Sequence, residues 1–174
     1  MNIIPKPLPG EYDPYTIMYI KLLPDDGRIL EHLQTNGEVL VKFLRTLTAE
    51  QWMYRYAEGK WTIKEILLHI IDDERIYCYR ALRFARNDAT ALPGFDQDPY
   101  VTESHANDRT SESLIEEYRA VRNATLSLFT NLPDDVWSRS GVANNHIVTV
   151  RALIYHLAGH ELHHLNIIRT KYLQ

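Results

Sequence analysis

The chain has 174 residues, 45% of them apolar and 24% charged, with a net charge of −4 at neutral pH. That is the make-up of an ordinary globular protein with one sizeable core, and it excludes an electrostatic grip on nucleic acid or an anionic membrane. The single cysteine, Cys78, excludes an internal disulfide and reads as a small core residue, and no apolar run reaches the length of a membrane span.

In chain order, the first stretch, residues 1–26, carries Pro5, Pro7, Pro9, Pro14 and Pro24. Proline fixes φ and removes a donor, so this stretch reads as an extended arm laid over the domain, with one turn of helix near Thr16 to Lys21. It lacks the charged-then-apolar layout of a secretion signal, so the location expected by default is the cytoplasm. A first helix is predicted from Gly27 to Thr46, with an apolar side of Ile29, Leu30, Leu33, Leu40, Phe43, Leu44 and Leu47. A second starts at Thr62, which forms a capping box with Glu65, and runs to Asn87.

The segment Asp88 to Arg109 holds Pro93, Gly94 and Pro99 and is long enough to be a functional lid or mouth. A third helix is predicted from Ser111 to Thr130, and a fourth runs from its cap Thr149 almost to the C-terminus. No strand pattern competes with these. Four helices of this length in one domain, residues 1–174, predict an all-α four-helix bundle with an N-terminal arm.

The chain also echoes itself. Leu47 to Trp52 resembles Leu132 to Trp137, and Thr62 to His69 aligns without gaps against Thr149 to His156, which sets Glu74 opposite Glu161. The two halves read as related helix hairpins about a pseudo-twofold axis. The histidines of the second and fourth helices are then expected to face one another.

Eight histidines are present, four of them between His156 and His164. His156, His160 and His164 recur every four residues, so they share one side of a helix, and either neighbouring pair could chelate one ion. The apolar stripe through Val150, Leu153, Ile154, Leu157, Leu165 and Ile168 has His164 near its middle and His160 at its edge, with His156 and His163 toward the flank. A neutral imidazole must satisfy both ring nitrogens, and a metal supplies the electrophile that two stacked acceptor nitrogens need.

A third ligand must come from another helix. His69 is the candidate, although it sits off the centre of its own stripe. Glu74 and Glu161 lie on core stripes and could orient a histidine or accept a proton, or be buried against a tyrosine or tryptophan; Asp72 and Asp73 are further candidates. His32, His105 and His146 read as structural. The string His160-Glu161-Leu162-His163-His164 also matches the H-E-x-x-H pattern of zinc proteases, whose domains pair that helix with a sheet that is not evident here.

Three segments carry a family resemblance: Gly59 to Glu74, Leu92 to Asp98, and His156 to Ile168. Together they resemble the DinB/YfiT-like superfamily from about Ile20 to the C-terminus. The resemblance implies an up-down-down-up bundle, commonly a homodimer, with nickel or zinc held by His69, His160 and His164. His156 and His163 are left as neighbours of that site. It also implies a small-molecule substrate.

Members of that family include thiol S-transferases using bacillithiol, a mycothiol-dependent isomerase and many proteins named as metal-dependent hydrolases. The leading expectation is a transferase joining a low-molecular-weight thiol to an electrophile. The alternatives are a hydrolase, with Glu161 or His156 as catalytic candidates relaying protons, and a non-enzymatic stress-related metal- or ligand-binding bundle.

Overall fold

The computed structural model describes residues 3–173; Met1 and Asn2 of the predicted arm, and Gln174, lie outside the described residues. The elements in order are α1 (Ile17–Ile20), α2 (Ile29–Leu44), α3 (Ala49–Met53), α4 (Ile63–Ala85), α5 (Gln97–Glu103), α6 (Ser111–Thr130), β1 (Ser140–Ala143), β2 (His146–Thr149) and α7 (Val150–Ile167). A π-helical turn, Ile168–Tyr172, extends α7.

The long helices α2, α4, α6 and α7 are the four predicted ones, and their starts follow from their caps. Thr62 Oγ1 accepts from Glu65 N at 3.1 Å while the Glu65 carboxylate accepts from Thr62 N at 2.7 Å, both halves of the capping box. Thr149 Oγ1 accepts from Ala152 N at 3.3 Å and starts α7 in the same way.

Helix α4 packs between α6 and α7, and α2 closes the bundle against the same two. Directions follow from paired residues. Glu74 meets Arg122 and Cys78 meets Thr125, so α4 and α6 run parallel. His69 meets His160 and Asp73 meets His156, so α4 and α7 are antiparallel. Arg122 reaches Leu33 O, and Arg45 reaches Glu112, so α2 and α6 are antiparallel as well. That is the up-down-down-up order. Parallel neighbours need a long crossover, which the segment between α4 and α6 supplies.

The core is divided. One apolar cluster holds Leu33, Phe84, Phe129, Leu153 and Leu157; the other holds Leu40, Leu67, Ile115, Leu165 and Ile168. Between them lies a polar layer of Glu74, Arg122 and Glu161, all at most 5% exposed.

The absence of strands is corrected by the antiparallel hairpin β1–β2, in which Ser140 pairs with Thr149 and Ala143 with His146. Asn144 and Asn145 both adopt positive φ at its turn, the geometry that two-residue hairpin loops demand. The crossover is tied to this hairpin through Leu92 N to Val142 O at 2.9 Å and Asn144 N to Leu92 O at 3.0 Å. The arm is anchored within its own chain: Ile4 is fully buried, and Tyr155 Oη donates to Ile4 O at 2.8 Å. Among the described residues no helix is long and apolar enough to cross a membrane.

Candidate metal centre

The second and third turns of α4 and the middle of α7 face each other, and this contact gathers the predicted histidines. His69 Nε2 lies 3.0 Å from His160 Nε2, and His164 Nε2 lies 3.0 Å from the same atom. All three ligand atoms fall within 4.8 Å of one another. Two nitrogens bound tetrahedrally at about 2.1 Å would be separated by roughly 3.4 Å, so the set fits an ion with small outward adjustments.

Protonation points the same way. Burial holds His160 and His164 well below the ordinary histidine range, and neighbouring imidazoles push in the same direction. Burial also lowers His69, against the opposing charges of Asp73 and Asp98. Neutral imidazole is the ligating form.

His69 is buried despite lying off its apolar stripe because α4 is covered on more than one side. Trp61 packs over it, with ring centroids 4.9 Å apart. Trp61 is held in turn by the π-helical turn, where Tyr172 Oη donates to Trp61 O at 2.7 Å. On α7, the ring of Tyr19 stands edge-on to His156, His160 and His163, each at 5.2 Å. This close approach of α1 requires Gly159, where a Cβ would collide with Tyr19 O.

Behind the three nitrogens stands Asp73. Its Oδ2 lies 3.4 Å from His160 Nδ1 and bonds His156 Nε2 at 3.1 Å. Asp73, His156 and His160 form a second group of converging ligand atoms. The internal echo relates the two groups: His69 corresponds to His156 and Asp73 to His160, so the His69–His160 contact maps onto the His156–Asp73 contact. The expected facing of histidines is met on one side of the axis. On the other a carboxylate replaces one of them.

Two clefts open onto the site. One, of about 300 Å³, is lined by Tyr56, Lys60, Trp61, Asp98, His164 and Tyr172. The other is lined by Tyr15, Tyr19, Asp73, Asp96, His156 and His160. The crossover contributes Asp96 and Asp98, and so forms part of the mouth, as its length suggested.

A model of the DinB superfamily matches residues 32–168. The chain belongs to the DinB superfamily. A relative named "Putative metal-dependent hydrolase" from Oceanobacillus iheyensis is 28% identical over 138 residues, 78% of this chain and 79% of the relative. A solved structure, YfiT from Bacillus subtilis, described as "a probable metal-dependent hydrolase with an unusual four-helix bundle topology", superposes with a TM-score of 0.71 at 16% identity. The match covers 94% of this chain and 89% of that one, and it carries the fold.

In this DinB chain the other sequence candidates have different places. Glu161 turns away from the histidines into the bundle, where its carboxylate accepts from Tyr118 Oη and from Arg122 Nη2 at 2.5 Å. Burial raises its pKa. Glu74 receives Arg122 Nε at 3.0 Å and Nη2 at 2.9 Å. Of the alternatives the sequence leaves open for these glutamates, burial against a tyrosine is the one Glu161 adopts, and both carboxylates face Arg122 rather than the histidines. Asp72 pairs with Arg75 at the surface, and His163 lies outside both ligand groups.

His32, His105 and His146 each stand beside an aspartate: Asp26, Asp108 and Asp13. Cys78 is held by Thr125 at 3.2 Å, and burial pushes its thiol up to about 12, which makes it no nucleophile. Arg122 is not among the candidates the sequence offers. Its signal was a charge on the α6 stripe of Ile115, Tyr118, Thr125 and Phe129. Gly37 leaves room for it, since a Cβ there would stand 2.8 Å from Arg122 Nη1.

Proposed function

We propose that this DinB-superfamily chain is a metal-dependent enzyme that holds a divalent ion through His69, His160 and His164 and hydrolyses a small-molecule substrate. The observation that carries this reading is the convergence of three imidazole Nε2 atoms, those of buried His69 and His160 and of half-buried His164, beside an open cleft. Three protein donors with an open side are the arrangement of catalytic rather than structural metal sites, and imidazole suits nickel and zinc. When bound, the ion would supply the Lewis acidity that makes water or a thiol acidic at neutral pH.

The chain's own residues divide the remaining work. Asp73 steadies His160 from behind, as carboxylates do for metal-binding histidines. Asp98 lines the cleft beside His164 and offers a proton acceptor on the open side. Trp61, Tyr56 and Tyr172 give that cleft an aromatic wall, which excludes water and packs an organic ligand. Hydrolysis is also what the names of the two relatives carry.

A second reading, the one the family resemblance put first, is transfer of a low-molecular-weight thiol at the same open position, where a bound ion would hold it as thiolate. One experiment separates them. Metal-loaded and metal-stripped protein are assayed against a panel of activated esters and amides, and for conjugation of bacillithiol, cysteine or glutathione to a model electrophile. Thiol-independent hydrolysis that vanishes on stripping and in His160→Ala supports the first reading. Conjugation with no hydrolysis replaces it by the second, and a metal-loaded protein inert in both assays overturns the enzymatic reading altogether.

A further inference from the structure

Arg80 lies on α4 two helical turns beyond Asp73 and is only 5% exposed. A buried guanidinium is costly unless it is paired. Arg122, also 5% exposed, meets two carboxylates. Arg80 meets none within 4.0 Å among the described residues. Its contacts are one hydrogen bond from Nη2 to Pro93 O at 2.9 Å and the face of Tyr77, 5.0 Å from Cζ to the ring centroid. Holding Pro93 in place uses one of five donors and needs no charge.

Arg80 borders a small cavity of about 70 Å³, whose lining also includes Tyr12, Tyr15, Asn144 and His156. His156 is 2% exposed, and its Nδ1 has no hydrogen-bond partner among the described residues. Its Nε2 meets Asp73 Oδ2 at 3.1 Å, and in the neutral ring that donates there Nδ1 is left as an acceptor. The ring cannot swing away, because Tyr77 stacks on it at 3.7 Å with 6° between the planes. Asp13 also lines the cavity, but its carboxylate is turned to Tyr15 N and His146, each at 3.3 Å.

One cavity therefore presents an unpaired cation and an unpaired acceptor. We propose that Arg80 and His156 form a binding subsite for a carboxylate that carries a hydroxyl or amino donor on its neighbouring carbon, the head group of a small hydroxy or amino acid. The carboxylate pairs with Arg80 and the donor with His156 Nδ1. The cavity volume admits such a head group and little more, so the rest of a larger ligand extends into the cleft over His160, which shares Tyr15, Phe95 and His156 with this cavity. The assignment stands on these groups alone and does not depend on the metal reading.

The test titrates lactate, as both enantiomers, into the full-length chain and into Arg80→Gln, following the ring resonances of the histidines by NMR. Propionate removes the donor and lactamide removes the charge. In the parent, lactate should bind saturably and shift the His156 signals, with lactamide weaker by about tenfold and propionate weaker by severalfold. Arg80→Gln should weaken lactate by about tenfold or more. Equal binding of lactate and lactamide, or shifts confined to His69 and His164 that persist in Arg80→Gln, would overturn the assignment, the latter by placing the acid on the metal. If Arg80→Gln fails to fold, the parent's ligand ranking and the His156 signals decide alone.

Discussion

Asp73 Oδ2 lies 3.4 Å from His160 Nδ1, on the side of the ring away from the atom that meets His69 and His164. A proton on Nδ1 facing the carboxylate would leave Nε2 its lone pair for an ion. Asp73→Asn is predicted to weaken metal affinity about 10- to 100-fold without unfolding the protein. Competition with a chromogenic chelator measures this, and unchanged affinity would remove Asp73 from the account.

The Arg122 layer predicts a different signature. Arg122→Ala strands two buried carboxylates, Glu74 and Glu161, and should cost about 3–5 kcal/mol in urea unfolding. Replacing all three by apolar residues of similar volume should recover most of that loss. A triple variant as unstable as Arg122→Ala would show that the layer does more than neutralise itself.

Glu161→Gln separates the layer from the metal site. Its carboxylate is committed to Tyr118 and Arg122, so the variant should lose stability yet keep parental metal stoichiometry. Loss of metal in a folded Glu161→Gln would return Glu161 to the centre.

The metal-free protein should also be sensitive to mild acid. His69, His160 and His164 are all held below the ordinary histidine value by burial. As pH falls through about 6.5 the unfolded chain takes up protons that the folded chain refuses, so folding stability falls with pH in that window. Carboxylates whose pKa is lowered in the fold, such as Glu11 and Glu65, act only further down, near and below their ordinary value of 4.5. Urea midpoints between pH 8 and pH 5 measure the effect, and a flat profile would contradict neutral burial of the three rings.

Much of this was legible in the chain because it is written locally. Thr62 with Glu65 and Thr149 announce their helices by short-range hydrogen bonds, and the four-residue spacing of His156, His160 and His164 fixes a shared helix side before any tertiary contact forms. The aligned threonines correctly placed α4 opposite α7. The less legible features depend on contacts distant in sequence. His69 looked off-centre because its cover comes from Trp61 and the far end of α7. The hairpin is written only in the turn chemistry of Asn144-Asn145, because its strands are too short to show an alternating pattern. The inward turn of Glu161 is set by Arg122, a partner 39 residues away.

The proposed site shares one ion among His69, His160 and His164. Its most direct test is equilibrium dialysis against zinc or nickel, followed by elemental analysis of the parent and of His69→Ala, His160→Ala and His164→Ala. About one ion per chain is expected for the parent and, at the same free-metal concentration, essentially none for His160→Ala or His164→Ala, with severe loss for His69→Ala. Parental stoichiometry in folded His160→Ala and His164→Ala would contradict it.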